Sequence, residues 1–263
     1  MPKVSIIMST YNNADFIAKA IRSVLAQTFT DFEFIIINDH SPDNTDVIMN
    51  NFVDNRIIYI KNQENRGLIY NLNKGIELAK GEYIARIDSD DWWLDKDKLR
   101  KQVEFLDNNL DYALIGTWAK VYNIENKYLF DIIHSKDFLS IKNKMLIKSC
   151  FVHSSVLFRK SVSLECGNYD IREKYVEDYG LWLRMGEKYK LANIGEYGVG
   201  YLLNEKGETQ KHNQEQIKAN LKLIKKHKSF YPNYFLGFLK WKTKYFIVKL
   251  GGLKLLNKIK KSV

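Results

Sequence analysis

The 263-residue sequence is poor in cysteine, in proline and in long apolar runs. Its two cysteines, Cys150 and Cys166, match no metal-binding or redox spacing, so we expect free thiols in a reducing compartment. No signal peptide precedes Val4, and no run of about 18 uncharged apolar residues occurs. The sequence therefore predicts a cytoplasmic protein without a membrane-spanning helix.

Acidic residues are absent from one long segment. From Ile217 to Val263 the sequence has 13 lysines and neither aspartate nor glutamate, whereas the other 216 residues carry 28 basic and 31 acidic side chains. The net charge of +10 thus comes from an appended segment rather than from the body of the protein. For this reason no nucleic acid partner is expected.

A glycine-rich phosphate loop is also missing. The sequence reads Thr10-Tyr11-Asn12-Asn13 where a G-x-G-x-x-G fingerprint would lie, and it contains no Walker A motif. This argues against a dinucleotide enzyme and against a P-loop NTPase. A sugar nucleotidyltransferase stays open as an alternative, although it would normally need a glycine-rich basic loop at this place.

Short apolar runs alternate with helical patterns over roughly the first hundred residues, which is typical of βαβ units around a parallel sheet. Strands are predicted at Val4–Met8, Phe32–Ile37, Ile57–Ile60 and Tyr83–Ile87. Apolar spacing predicts helices over 16–25, 46–53 and 68–79. In such a sheet, ligands bind beyond the carboxyl ends of the strands.

Polar clusters follow all four predicted strands, at 9–12, 38–41, 65–67 and 88–91, and we expect them to meet at one rim. The last cluster, Asp88-Ser89-Asp90-Asp91, places three carboxylates in four residues, which is costly unless a cation compensates the charge. Mg²⁺ or Mn²⁺ would bind such carboxylates together with substrate phosphates. The alternative is an acidic turn that caps a helix starting near Leu94.

Motifs in a fixed order over roughly residues 1–200 resemble those of the family 2 glycosyltransferases. They lie at 5–12, 27–29, 32–33, 38–41, 65–67, 73–76, 81–91, 153–159, 167–170 and 177–182. The resemblance implies an α/β GT-A fold, with a Rossmann-like, mostly parallel sheet flanked by helices. It also implies inverting transfer from a nucleotide-diphosphate sugar, first of all a UDP sugar, to a glycan or lipid-linked acceptor in bacterial polysaccharide or lipo-oligosaccharide synthesis.

The resemblance also assigns roles to single residues. Donor-binding residues would be Thr10, Tyr11, Asp39, Arg66 and Asp88. Asp90 and Asp88 would hold Mn²⁺ or Mg²⁺, with Asp91 as a further metal ligand. The general base falls on Asp178, for which the alternative is a surface carboxylate in an acidic first helical turn. Arg86 is a weaker candidate for neutralising the diphosphate.

Two positions depart from the family pattern, and three others have open roles. His40 stands where the family often has glycine, which leaves the local loop shape open, and Leu72 stands where it often has arginine. His153 could contact the acceptor or the metal, or could be a hydrogen-bonded structural residue. Trp92 and Trp93 could line a sugar platform or pack in the core.

The predicted domains are a GT-A catalytic domain over 1–210 and a helical, lysine-rich extension over 211–263. Residues 1–110 would bind the nucleotide sugar, and residues 111–210 would bind the acceptor. The mixture of lysines and aromatic residues in 234–263 suits an anionic membrane surface on the inner face of the plasma membrane, or packing against protein. The remaining alternative is a non-catalytic protein that binds nucleotide sugars or RNA.

Overall fold

The computed structural model describes residues 1–204 and 212–250. Within them the strands are β1 (Val4–Thr10), β2 (Phe32–Asn38), β3 (Ile57–Lys61), β4 (Tyr83–Arg86), β5 (Trp92–Trp93), β6 (Tyr112–Tyr122), β7 (Tyr128–Ile132), β8 (Leu157–Arg159) and β9 (Lys190–Leu202). The helices are α1 (Ala14–Leu25), α2 (Thr45–Met49), α3 (Leu68–Leu78), α4 (Lys98–Asn108), α5 (Phe138–Lys144), α6 (Lys160–Glu165), α7 (Glu177–Lys188), α8 (Asn213–Lys226) and α9 (Tyr234–Lys249). A short 3₁₀ helix covers His153–Ser155.

The strands form one sheet in the order β3-β2-β1-β4-β8-β6-β9-β5, with β7 paired to β6. The first four strands are parallel, and their register places Thr10 beside Asn38 and Ile7 beside Arg86. Strand β8 is antiparallel to β4 and β6, whereas β6 and β9 run parallel to each other. The second half of the sheet is therefore mixed, and β8 joins it to the parallel half.

Alternation along β1 supplies both faces of the core. Ile6 and Met8 belong to a buried cluster shared with the apolar face of α1, whereas Ile7 joins the cluster on the opposite face. That second cluster includes Leu72 of α3 and Trp182 of α7. Because both faces are covered, the strands read as continuous apolar runs, as expected for a parallel sheet.

The four predicted strands are confirmed to within two residues at their ends. The helix predicted to start near Leu94 begins instead at Lys98, because Trp92 and Trp93 pair antiparallel with Gly200 and Val199 of β9. The acidic cluster at 88–91 therefore does not cap a helix, and the helix-cap alternative for it is wrong.

The lysine-rich C-terminal segment forms two helices on either side of Pro232. Helix α9 packs on the body through Gly237, Trp241 and Val248, and Gly237 closely approaches the backbone of Leu146. In the part of the chain that the structure covers, no helix has the length and apolarity needed to cross a membrane. Residues 251–263 of the predicted extension, which include lysines 254, 258, 260 and 261, lie outside the described residues.

Candidate active site

The polar loops that follow β1, β2, β3 and β4 meet at one rim of the sheet. The backbone N–H of Asn12 donates to Ser41 Oγ at 3.1 Å, which joins the loops after β1 and β2. Asn13 Nδ2 donates to Ser89 Oγ at 2.8 Å, which joins the loop after β1 to the acidic cluster. The juxtaposition expected from the parallel topology is therefore present.

Asp39 organises the loop between β3 and α3. Its buried carboxylate accepts hydrogen bonds from the backbone N–H groups of Arg66 and Gly67, each at 2.8 Å, and from Asn62 Nδ2 at 2.8 Å. Gly67 has a φ of 84°, a conformation that favours glycine. Asn62 also donates to Asn71 Oδ1 at 2.7 Å, which ties the carboxylate to α3. An ionised carboxylate has about four acceptor positions, so one remains for a ligand.

The loop after β2 keeps its shape without glycine. His40 has a φ of 61°, so the histidine itself adopts the left-handed conformation. Leu72, at the second departure from the family pattern, is buried in the core.

The other three predicted donor-binding residues outside the acidic cluster occupy different environments. Thr10 Oγ1 is buried and has no hydrogen-bond partner within residues 1–204 and 212–250, whereas Tyr11 is half exposed at the rim. The Arg66 guanidinium points away to Glu64 at 2.6 Å and stacks on Tyr70. Arg66 therefore reaches the site through its backbone, which sequence reasoning did not distinguish.

Asp88 lies at the end of β4 and pairs with Arg86, whose side chain is buried in the sheet. Burial opposes ionisation of Asp88, but the attraction of the Arg86 guanidinium and hydrogen bonds outweigh it, so the pKa of Asp88 is lowered. The backbone N–H of Asp88 also donates to Ser154 Oγ at 3.0 Å. Asp88 is thus held as an anion in a fixed position.

The carboxylates of Asp90 and Asp91 differ in the hydrogen bonds that they accept. No other residue in the described ranges donates a hydrogen bond to the Asp90 carboxylate, and burial together with the negative charge of Asp88 raises the pKa of Asp90 to about 7. Asp91 turns inward, where its two oxygens accept hydrogen bonds from Ser154 Oγ and from the Leu202 N–H. These two hydrogen bonds hold the Asp91 carboxylate in its inward position, and its role as a further metal ligand stays a prediction.

Ser154 joins these carboxylates to the second half of the sheet and was missed by sequence reasoning. It is fully buried at the 3₁₀ helix, where its hydroxyl lies within hydrogen-bond distance of both Asp88 and Asp91. Its carbonyl accepts a hydrogen bond from Trp93 Nε1 at 2.9 Å. The residue lies within a motif shared with the family, but its contacts depend on chain segments more than 60 residues away.

Asp178 lies in the first turn of α7, close enough to Asp88 for their charges to interact. Burial and the nearby charge of Asp88 raise the pKa of Asp178 to about 6, against the effect of the Tyr179 N–H, which donates to Asp178 Oδ1 at 2.6 Å. The adjacent Glu177 is buried, and burial and the charge of Asp178 raise its pKa to about 8. The environment of Asp178 differs from that of an exposed carboxylate that only offsets a helix dipole.

The aromatic and histidine candidates have structural contacts. His153 Nε2 lies 3.0 Å from the Tyr169 hydroxyl, and burial lowers the pKa of His153 to about 3, so its ring is neutral. Trp92 and Trp93 are both buried, and Lys19 and Lys98 lie over their rings at 3.0 and 4.0 Å. Neither tryptophan presents an open platform for a sugar.

A divalent cation fits part of the predicted site. Among the described residues, no three or more His, Cys, Asp or Glu side chains are arranged to hold a metal ion by themselves. Asp88 and Asp90 nevertheless present two neighbouring carboxylates, and Asp90 receives no hydrogen bond from another described residue. Mg²⁺ and similar ions are often bound by one or two carboxylates together with substrate phosphates. The donor set therefore fits a cation that a diphosphate would help to coordinate.

Comparison with known proteins agrees with this arrangement. The model of a family described as Glycosyl transferase family 2 matches residues 5–167. The Escherichia coli enzyme WfaP, named UDP-Glc:alpha-D-GlcNAc-diphosphoundecaprenol beta-1,3-glucosyltransferase, is 32% identical over 188 residues, which are 72% of this chain and 72% of WfaP.

Two solved structures share the fold. The mannosyltransferase PcManGT from Pyrobaculum calidifontis, solved with GDP-Man and Mn²⁺, has a TM-score of 0.69 at 14% identity and covers 99% of this chain and 79% of its own. Staphylococcus aureus TarS 1–349 with UDP-GlcNAc has a TM-score of 0.69 at 17% identity, over 93% of this chain and 72% of its own.

The fold and the rim of carboxylates define a glycosyltransferase of the GT-A class. Because the family model covers well over half of the sequence, the chain belongs to glycosyl transferase family 2. This membership favours sugar transfer over nucleotidyl transfer and over simple binding.

Proposed function

We propose that this protein transfers a sugar, with inversion at the anomeric carbon, from a nucleotide-diphosphate sugar to a hydroxyl group of a glycan or lipid-linked acceptor. A UDP sugar is the first candidate donor, and bacterial surface-glycan synthesis is the proposed context. WfaP supports the UDP-sugar donor and the lipid-linked acceptor, because its name specifies UDP-Glc and a GlcNAc-diphosphoundecaprenol acceptor.

The observation that carries the proposal is the position of Asp178 relative to the acidic loop. Burial and, to a smaller extent, the charge of Asp88 raise the pKa of Asp178, so the two carboxylates interact although they are 90 positions apart in the sequence. A single displacement needs one base beside the acceptor hydroxyl and a leaving diphosphate on the other side of the sugar. This pair of positions can provide that arrangement.

The proposed base has a suitable proton affinity. With a pKa of about 6, Asp178 is mostly ionised near pH 7 but is more basic than an exposed carboxylate, whose pKa is near 4. It would accept the proton of the acceptor hydroxyl as that oxygen attacks the anomeric carbon. Buried Arg86 keeps Asp88 ionised. Asp88 and Asp90 would hold Mn²⁺ or Mg²⁺, which would stabilise the negative charge of the leaving diphosphate.

The nucleoside would bind on the β1 and β2 side of the rim. Asp39 has acceptor capacity for a base N–H, Thr10 Oγ1 is without a partner in the described residues, and the half-exposed Tyr11 ring offers a stacking surface. The Arg66 backbone would fix the position of Asp39. In this proposal the nucleotide would bind in the half 1–110, and the base Asp178 belongs to the half 111–210.

An Asp178→Asn substitution tests the proposed base. Transfer should fall by about 10²–10⁴-fold while donor affinity stays near normal, because the amide cannot accept the proton. Asp15→Asn is the matched control, since Asp15 is also an acidic residue in the first turn of a helix. Near-normal turnover of Asp178→Asn, or equal losses in both variants, would remove the catalytic role.

A second variant tests the proposed cation site. Asp90→Ala should weaken binding of Mn²⁺ in the presence of UDP, as measured by titration calorimetry, and should lower transfer. Unchanged Mn²⁺ affinity in this variant would show that Asp90 is not a ligand.

The C-terminal helix would attach the enzyme to an anionic membrane surface. On α9, Leu239 and Phe246 are 54% and 56% exposed, and exposed lysines at 240, 242 and 249 lie on the same helix. Each surface cation contributes about 1 kcal/mol of attraction to anionic lipid. Leu239→Ser/Phe246→Ser should reduce sedimentation with anionic vesicles, whereas the exposed pair Leu110→Ser/Leu139→Ser should not. Equal sedimentation of both variants would rule out α9 as the anchor.

A further inference from the structure

A cavity of about 580 Å³ has Tyr169 in its lining and lies outside the acidic site described above. It is lined by parts of α3, of the loop after α6, of α7 and of α8. Its size is in the range of small-molecule sites, about 300–1,000 Å³. None of the functions assigned above uses this cavity.

Tyr169 lines the cavity and connects it to the acidic site through His153. Its backbone is fixed by Asn73 of α3, whose side chain donates to the Tyr169 carbonyl at 2.8 Å and accepts from the Tyr169 N–H at 3.1 Å. The Tyr169 ring is buried, and its hydroxyl lies 3.0 Å from His153 Nε2. The next residue, Ser154, contacts Asp88 and Asp91, so a molecule bound in the cavity would lie close to the acidic site.

The charged side chains that line the cavity are mainly cationic. They are Arg172, Arg184 and Lys226, against a single acidic lining residue among those described, Asp170. The Arg172 side chain is 83% exposed and binds Asp170 through Nε and Nη2, which leaves Nη1 directed to neither carboxylate oxygen. Lys226 Nζ lies 3.0 Å from the buried Glu173 and is half exposed. Both cations can thus reach a ligand.

The geometry points to this cavity as the binding site for a phosphate or diphosphate group on the acceptor. The inference rests on the proposed function and extends it, because it states that the acceptor is anionic and where its charge is bound. Arg172 and Lys226 recognise the phosphoryl oxygens, and the apolar side chains of Ile69 and Ile171 contact the carbon chain that follows. Arg184 keeps its hydrogen bonds to Glu173 and to the Cys166 carbonyl, and it supports the lining of the cavity.

The test uses Arg172→Gln/Lys226→Gln and a control with the same change in charge, Arg56→Gln/Lys188→Gln. Arg56 binds Asp54 in the same two-residue arrangement as Arg172 and Asp170, and Lys188 is an exposed lysine paired with Glu165 at 2.8 Å. Two synthetic acceptors are compared, decyl N-acetylglucosaminyl diphosphate and the uncharged decyl N-acetylglucosaminide. Binding of each is also titrated without donor.

We expect the wild-type protein to bind the diphosphate at least tenfold more tightly than the neutral glycoside. The Arg172/Lys226 variant should lose this preference, with unchanged affinity for UDP and for the neutral glycoside, and the control variant should retain it. Equal wild-type affinities for the two acceptors would overturn the inference. A preference that survives the double substitution, or a parallel loss of UDP affinity, would do so too.

The proposed function can fail separately from this inference. If the preference depends on the two cations in the titration but no acceptor is glycosylated by any nucleotide sugar, the anion site stands and the transferase proposal fails. If both acceptors are glycosylated with equal KM values, the transferase proposal stands and the anion site fails.

Discussion

Replacing Ser154 by alanine tests whether the two halves of the sheet cooperate in the site. The Ser154 hydroxyl accepts a hydrogen bond from the Asp88 N–H and donates one to the carboxylate of Asp88 or of Asp91. It is fully buried. A hydrogen bond to a charged group contributes about 1.5–3 kcal/mol, and an unsatisfied buried acceptor costs about 1–3 kcal/mol. We expect Ser154→Ala to lower the free energy of unfolding by about 2 kcal/mol.

The adjacent serine is the matched control. Ser155 is equally buried, but its hydroxyl donates to the Val152 carbonyl at 2.8 Å and accepts from the Thr117 N–H at 3.2 Å, so both of these partners are backbone groups. Ser155→Ala should therefore cost about 1–2 kcal/mol of stability through the same kind of buried loss. Only Ser154→Ala should also disturb the acidic loop.

The assay that separates the two variants is binding, not activity alone. In the presence of UDP, Mn²⁺ affinity measured by titration calorimetry should fall about tenfold in Ser154→Ala, which corresponds to about 1.4 kcal/mol, and should be unchanged in Ser155→Ala. Chemical denaturation gives the stability of each. Equal Mn²⁺ affinities in the two variants would refute the argument that Ser154 positions the carboxylates.

Three further predictions concern charge. Because Asp178 and Asp90 must both be ionised and have pKa values of about 6 and about 7, kcat/KM should level off only above pH 7 and should fall by at least tenfold per pH unit below pH 6; a flat profile from pH 5 to 8 would contradict this. Burial lowers the pKa of Lys98 to about 7 from 10.5, so the buried ammonium reduces the free energy of unfolding fully below pH 7 and progressively less toward pH 10.5. The stability gained in Lys98→Met, measured by urea unfolding, should therefore shrink between pH 7 and pH 10.5. Asp39→Asn should weaken UDP binding, since an amide cannot accept from all three N–H donors, whereas the exposed Asp31→Asn should not.

The parallel half of the fold could be predicted from the sequence because each of its strands is covered on both sides and appears as a short apolar run. The strands of the second half carry mixed patterns, and their pairing depends on segments that meet only in the folded chain, as when β8 inserts between β4 and β6. The same limit applies to β5, where two tryptophans pair with Gly200 and Val199.

The site could be predicted to the level of loops but not of single contacts. Strand ends indicate where polar residues gather, and Asn62 follows β3 directly, so the same rule could have found its bond to Asp39. Charge counting does not tell which carboxylate of the cluster turns inward, so the sequence alone does not separate Asp91 from Asp88 and Asp90. The inward position of Asp91 depends on Ser154 and Leu202, and neither lies near it in the sequence.

The carboxylates of the site have a cost that a purely structural role does not explain. Burial raises the pKa values of Asp90, Glu177 and Asp178, while buried Arg86 stabilises the charge of Asp88. An acidic helix cap would instead have exposed carboxylates with ordinary pKa values, stabilised by the helix dipole. A fold that gathers acidic groups at a rim where their ionisation is unfavourable gains from them only when a ligand offsets the negative charge. Because a cation and a sugar centre with developing positive charge would both do so, the arrangement that destabilises the free protein is the one expected to stabilise the transition state of transfer.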